Sequence, residues 1–259
     1  MEKKEQGLVI LVVIAMLALI ALSLLYISIE NVPIQEKYTV VASGHTSWWP
    51  TMGRIGMTEA GIGVDAAEIV CDDIGFNFNP IYAGSWSEVQ EKLKTGELDL
   101  VVAMYKTEDR EKYYDFSIAY TKDPITPFVA KGKTFSPQKE NLIGKKGVVT
   151  RGDSYGPELD KYIVEANLDI AVVDTAEEGF ALVEEGRADY LLYSTYAGET
   201  IIAKERISGI EESGTISEQP FYMAVSKKSP LAKHMNEINA SLRRQMNDQN
   251  SSLNKVLLK

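Results

Sequence analysis

Residues 85–103, SWSEVQEKLKTGELDLVVA, and residues 175–193, TAEEGFALVEEGRADYLLY, carry the reading of this chain. Ser85-Trp86-Ser87-Glu88 and Thr175-Ala176-Glu177-Glu178 are both capping boxes, a hydroxyl followed three residues later by a glutamate, and each opens a helix. The first helix runs to Gly96 and the second to Gly186. Each is followed by an apolar strand, Leu98–Ala103 and Ala188–Tyr193, that begins at a shared aspartate, Asp99 or Asp189. Cap, glutamate, glycine and aspartate keep the same relative positions, displaced by 90 residues. A second pair, Val40-Val41-Ala42-Ser43-Gly44 and Val148-Val149-Thr150-Arg151-Gly152, ends a strand in a glycine turn twice. Strands alternating with helical patterns argue for α/β architecture, and the repetition predicts two lobes of similar construction.

The elements outside the repeat fit that plan. Tyr38–Ala42 reads as a strand, and Val64–Ile74 as a helix with Val64, Ala67, Val70 and Ile74 on one face and Gly75 as its stop. Cys71 lies within it as a small core residue. Gln219–Ser226 is a strand leading to an amphipathic helix from Pro230, with Leu231, Met235, Ile238, Leu242 and Met246 on one stripe. The expected layout is lobe one over 38–120, lobe two over 124–217, and a return to lobe one over 222–259. Hinges then fall at Tyr120–Pro124 and Glu218–Tyr222, and a cleft lies between the lobes.

Composition narrows the function classes. The 259 residues are 45% hydrophobic and 25% charged, so disorder and low complexity are excluded. One cysteine and two histidines, His45 and His234, argue against a disulfide framework or a Cys/His metal centre. A net charge of −10 repels nucleic acid, so an anionic ligand needs a local cationic site. No P-loop, nucleophile elbow or zinc motif is present, and no cofactor is expected.

Leu8–Ile27 is 20 residues without a charge, enough for a helix of about 30 Å, the thickness of a bilayer's hydrocarbon. It exceeds the usual h-region of a signal peptide, and Ser28-Ile29-Glu30-Asn31 is a poor cleavage site. An uncleaved anchor within residues 1–29 is therefore favoured over a cleaved signal. Either alternative places the remainder outside the cytoplasm, tethered to the membrane or released.

Ligands of open α/β sheets sit beyond the carboxyl ends of the strands, which brings the loops after Ala42, Ala103, Thr150 and Tyr193 to the cleft. In order along the chain, Gly61-Ile62-Gly63-Val64-Asp65, Gly96-Glu97-Leu98-Asp99, the T-x-x-R of Thr107–Arg110, Asp115-Phe116-Ser117, Gly186-Arg187-Ala188-Asp189 and Tyr222-Met223-Ala224-Val225-Ser226-Lys227 make up one set. Together they resemble the family 3 periplasmic solute-binding proteins, the amino-acid-binding components of ABC importers. The resemblance covers about residues 38–259. It implies a two-lobed periplasmic-binding-protein-like fold, each lobe a sheet flanked by helices, with two crossover hinge strands and closure on a small ligand. It further implies that Arg110 grips a ligand carboxylate, with Thr107 adding a donor, Ala103 and Tyr105 beside it, Trp48 and Trp86 as aromatic walls, and Ser154 as a second carboxylate contact. The chemistry agrees, because a guanidinium's paired donors match a carboxylate's two oxygens and flat rings exclude water.

Three positions depart from the family pattern. Ser194 stands where amino-acid binders carry the aspartate that pairs with the ligand's ammonium, and a hydroxyl cannot neutralise a buried cation. His45 takes another position where many relatives carry an acid, and Tyr105 replaces a small hydroxyl residue. The expected ligand is a small carboxylate, either an organic acid or a zwitterion held through Glu199 or another acid. The expected partner is an ABC permease or a membrane sensor. An enzyme reading on the same scaffold, dehydratase-like, has only His45, Glu199 and Asp153 as candidate acids and bases. A sensing module whose cleft has decayed is the third alternative.

Overall fold

The computed structural model describes residues 14–23 and 37–257. Residues 1–37 and 38–259 form two separate compact units. In the first, residues 14–23 are helical (α1), with Ile14, Met16, Leu17, Leu19, Ile20 and Leu22 all exposed. The rest of the apolar stretch over 8–27 lies outside the described residues. Among the described residues no helix is long and apolar enough to cross a membrane.

The second unit begins with β1 (Thr39–Ser43), then a small antiparallel sheet of β2 (Ser47–Trp48), β3 (Met52–Ile55) and β4 (Thr58–Ala60). There follow α2 (Ile62–Asp73), β5 (Asn77–Pro80), α3 (Trp86–Thr95), β6 (Leu100–Met104), α4 (Glu108–Glu111), β7 (Tyr114–Phe116) and β8 (Thr121–Ala130). The chain goes on through β9 (Lys146–Thr150), α5 (Pro157–Glu165), β10 (Asp169–Val173), α6 (Ala176–Glu184), β11 (Tyr190–Ser194), α7 (Thr195–Glu205) and β12 (Ile210–Glu212). It closes with β13 (Ser217–Ser226), a 3-10 turn over Pro230–His234, α8 (Met235–Asn247) and α9 (Ser252–Leu257).

The strand order β10-β9-β11-β8-β13-β6-β1-β5 displays the repeat. At one end β1 is flanked by β5 and β6, both parallel to it. At the other end β9 is flanked by β10 and β11, again both parallel. β6 and β11 are buried along their whole length, as strands covered on both faces must be, and so they read as unbroken apolar runs. Beyond each lies an antiparallel strand, β13 next to β6 and β8 next to β11. β13 serves both halves. Its Ser217–Phe221 portion pairs with Thr121–Ile125 of β8, and its Tyr222–Ser226 portion pairs with β6 and β7. These two crossing strands are what join the lobes of the periplasmic-binding-protein-like fold.

Local chemistry explains the ends of the repeated unit. At α3 the box is reciprocal: Ser85 Oγ accepts from the Glu88 N–H, and Glu88 Oε2 accepts from the Ser85 N–H at 2.7 Å. Gly96 then takes the left-handed conformation that closes the helix, at φ 88°. At α6 the Thr175 hydroxyl caps as expected, but Glu178 accepts from the Asp174 N–H, one residue ahead of the cap. The second box is thus a half box. The repeated aspartates are latches between strands. Asp99 accepts from the Val41 N–H, Tyr38 and Ser229, and Asp189 accepts from the Lys146 N–H. Neither faces the cleft loops.

Two expectations change at the carboxyl end. The helix after Pro230 starts as a 3-10 turn and becomes α-helical only at Met235. Leu231, Ile238 and Leu242 are buried, Met235 is half-buried, and Met246 is exposed, so the stripe ends one turn early. Met246 stands two successive four-residue steps beyond Ile238, about 80° round the helix from the buried face, and next to the helix end at Asn247. Cys71 sits in the core, and burial pushes its thiol up to about 12.

Candidate functional site

Arg110 enters the site because Thr107, leaving β6, caps the one-turn helix α4 through its hydroxyl, which accepts from the Arg110 N–H at 3.3 Å. The guanidinium turns back toward the sheet. Nη1 donates to the Tyr105 carbonyl at 2.9 Å, and Nη2 donates to Gln90 Oε1 at 3.2 Å and to the Gly152 carbonyl at 3.3 Å. These acceptors are all neutral. Burial pushes the guanidinium below its ordinary range, opposed chiefly by the carboxylates of Asp153 and Asp160. Its carbon stands 5.7 Å from the Trp86 ring centre.

The Arg151–Ser154 turn faces this group from the other lobe. The Gly152 carbonyl accepts from Arg110, from the Trp86 indole N–H at 3.1 Å and from Gln90 Nε2 at 3.3 Å. Only glycine suits the position. Its φ is 79°, and an added Cβ would sit 3.2 Å from Gln90 Nε2 and 3.3 Å from Ser87 Oγ. Asp153 follows, its side chain 1% exposed, with His45 Nε2 3.5 Å from Oδ1. Neither of its oxygens has a hydrogen-bond partner. Ser154 is buried, but its hydroxyl is committed to Asp160 Oδ2 at 2.5 Å. The cap of α5 is Gly156, two residues beyond Ser154. Ser154 is therefore not at a helix start.

Aromatic side chains close the walls. Trp48 lies 4.8 Å from His45, 4.9 Å from Tyr193 and 6.1 Å from Tyr105, centre to centre. Trp86 is 5.4 Å from His45, and Tyr105 stacks on Phe221 at 4.8 Å. Under this cluster is an acid that sequence reasoning missed, Asp123 of β8. Trp48 Nε1 donates to it at 2.8 Å, Ser194 Oγ at 2.7 Å, and the Tyr105 hydroxyl as well. Burial pushes Asp123 up to about 6 against the pull of these three donors. Its signal in the sequence was a single acid in a strand with Ile125, Phe128 and Val129 on its buried positions.

His45, Trp48, Trp86, Ala103, Tyr105, Arg110 and Ser154 line one small pocket, joined by Asp153 and by Phe221, which the sequence reading also missed. Its free volume is about 20 Å³, room for one water molecule. His45 is buried, 7% exposed, and so is a wall of the pocket and not a solvated loop residue. Two expected members stand outside. Thr107 lines a separate open groove, its hydroxyl spent on capping. Ser194 caps α7, accepting from the Ala197 N–H while donating to Asp123. Glu199 is exposed on α7, so it does not serve the pocket. The groups present suit a small polar solute, through charge-assisted hydrogen bonds within aromatic walls, once the lobes part enough to admit it. Among the described residues there is no cluster of His, Cys, Asp and Glu that could hold a metal ion.

This is the architecture of a two-lobed binding domain, and the comparisons place it. Residues 44–255 match the bacterial extracellular solute-binding proteins, family 3, and the chain belongs to that family. It is 27% identical over 212 residues to the ABC transporter glutamine-binding protein GlnH of Bacillus subtilis, covering 77% of this chain and 71% of that protein. It is 19% identical over 203 residues to the virulence sensor protein BvgS of Bordetella pertussis, covering 78% of this chain but only 16% of the sensor's length. A crystal structure of a histidine kinase sensor domain with similarity to periplasmic binding proteins superposes with a TM-score of 0.73 at 21% identity, covering 85% of this chain and 94% of that one.

Proposed function

We propose that residues 38–259 form an extracytoplasmic receptor that closes on a small carboxylate-bearing solute, with Arg110 as the partner of the carboxylate. One observation carries the reading: a half-buried guanidinium whose hydrogen bonds all go to neutral oxygens. Such a group gains from an incoming anion, because the attraction is strong where water is excluded. The Gly152–Asp153 turn already lies on the Arg110 wall through the Gly152 carbonyl, so opening about β8 and β13, with lobe boundaries near 120–124 and 217–222, would admit the solute and reclosure would return the turn over it. Trp48, Trp86, His45, Tyr105 and Ala103 would then enclose the solute, and the Ser154 backbone would face it.

The downstream partner is an ABC permease or a membrane sensor. Likeness to GlnH supports the first, and likeness to BvgS and to the kinase sensor domain supports the second. The charge-free run over 8–27 supports tethering to the membrane. An enzyme on the same scaffold is favoured by one observation, the 3.5 Å approach of His45 to Asp153. Thermal-shift screening of the full chain in detergent against amino acids and carboxylic acids tests these readings together. A stabilising hit that stays chemically intact supports the receptor, and one that is consumed supports the enzyme. Stabilisation retained in full by Arg110→Ala would refute the site.

A further inference from the structure

We propose that Asp153 is a specificity-determining residue: it selects solutes that carry a charged nitrogen beside the carboxylate held by Arg110, and so replaces the anchor missing at Ser194. The inference rests on the carboxylate-binding reading of Arg110. Asp153 is the single carboxylate among the described residues that line the pocket. Its side chain is 1% exposed and both of its oxygens are bare of hydrogen-bond donors. A carboxylate withdrawn from water without donors is costly, and a ligand N–H that reaches it recovers that cost.

His45 Nε2 stands 3.5 Å from Asp153 Oδ1 without making a hydrogen bond, and the other groups nearby are already engaged. Asp123 accepts from Trp48, Tyr105 and Ser194, and Arg110 directs its hydrogen bonds to Tyr105, Gln90 and Gly152 rather than to Asp153. The pocket thus presents a guanidinium and a carboxylate side by side, influencing each other but not joined by a hydrogen bond. An α-amino acid has the complementary pattern, a carboxylate next to an ammonium. Trp86 and the His45 ring flank the position. Asp153 also belongs to the lobe-two turn, whose Gly152 carbonyl accepts from Arg110, so its contact with the amine holds while the lobes are closed and is lost as they open. Recognition of the nitrogen is thereby coupled to closure.

The test uses four amino acids, L-glutamine, L-arginine, L-leucine and L-phenylalanine, and their deaminated counterparts glutaramate, 5-guanidinopentanoate, 4-methylpentanoate and 3-phenylpropanoate. Each is titrated calorimetrically into the full wild-type chain and into Asp153→Asn. The expected result is that a binding amino acid exceeds its deaminated partner by at least about tenfold in affinity. Asp153→Asn should erase that preference while leaving the deaminated acid bound equally or more tightly. The wild-type comparison stands even if the variant fails to fold. Equal affinity for both members of a pair, or a preference that survives Asp153→Asn, overturns this inference and leaves the carboxylate reading intact, with Asp153 then a counter-ion for Arg110. Binding of none of the eight compounds overturns both.

Discussion

β6 and β11 hold equivalent places, each between a parallel neighbour and an antiparallel crossing strand, yet the chain leaves them differently. Beyond β6, a threonine cap turns α4 so that Arg110 folds back into the pocket. Beyond β11, Ser194 caps the longer helix α7 and hands its hydroxyl to Asp123. The lesson is that the repeated scaffold decides where a side chain can arrive, whereas the residue type at the arrival point decides the charge. Lobe one delivers the cation. Acid comes instead from the crossing strand, as Asp123, and from the turn after β9, as Asp153.

Several substitutions would sharpen or break this contrast. Arg110→Ala should weaken a carboxylate ligand about a thousandfold, some 4 kcal/mol, since the ligand's charge is then buried unpaired. Calorimetry reads this directly, and a loss of less than tenfold would mean that β6 does not supply the anchor. The second effect is a pH dependence. Asp123 has a folded value of about 6 against 3.8 unfolded, so the folded state binds more protons between those values. Its contribution to stability is therefore greatest below about pH 4 and declines as pH rises to 6, by at most about 3 kcal/mol. Asp123→Asn should remove that part of the slope in denaturant melts across this range. An unchanged slope would show that the three donors already fix the ionised form.

A third effect concerns Thr107. With its hydroxyl used as a cap, Thr107→Ala should cost about 1 kcal/mol of stability and weaken ligand only severalfold, while Thr107→Ser restores both. A thousandfold loss of affinity would instead put the hydroxyl on the ligand. The smallest effect compares the two caps. Ser85→Ala at the reciprocal box should cost about 1.5 kcal/mol, and Thr175→Ala at the half box about 1 kcal/mol. Equal costs in thermal melts would show that Glu88 adds nothing to its own end.

The repeat was legible because caps, glycine stops and buried strands are local signals that survive in a single chain. Ser85, Gly96, Thr175 and Gly186 each act where their spacing predicted. The Arg110 and tryptophan walls were legible only through family resemblance, since nothing in a T-x-x-R fragment states that its arginine turns inward. Asp123 was not legible. It meets Trp48 across 75 positions and Ser194 across 71, and one acid at the start of an apolar strand reads as a solvated end. Thr107 misled for the opposite reason, because a cap and a ligand donor have the same residue signature. Met246 failed because successive four-residue steps drift off the buried face by the end of α8.

The most direct measurement compares an amino acid that binds the full chain with its carboxamide, which keeps the ammonium and the side chain but lacks the anionic group. If a carboxylate is what the Arg110 guanidinium receives, the amide should bind about a thousandfold more weakly by calorimetry. Equal binding of the two would contradict the account, because the cation at the end of β6 would then have no anion to hold.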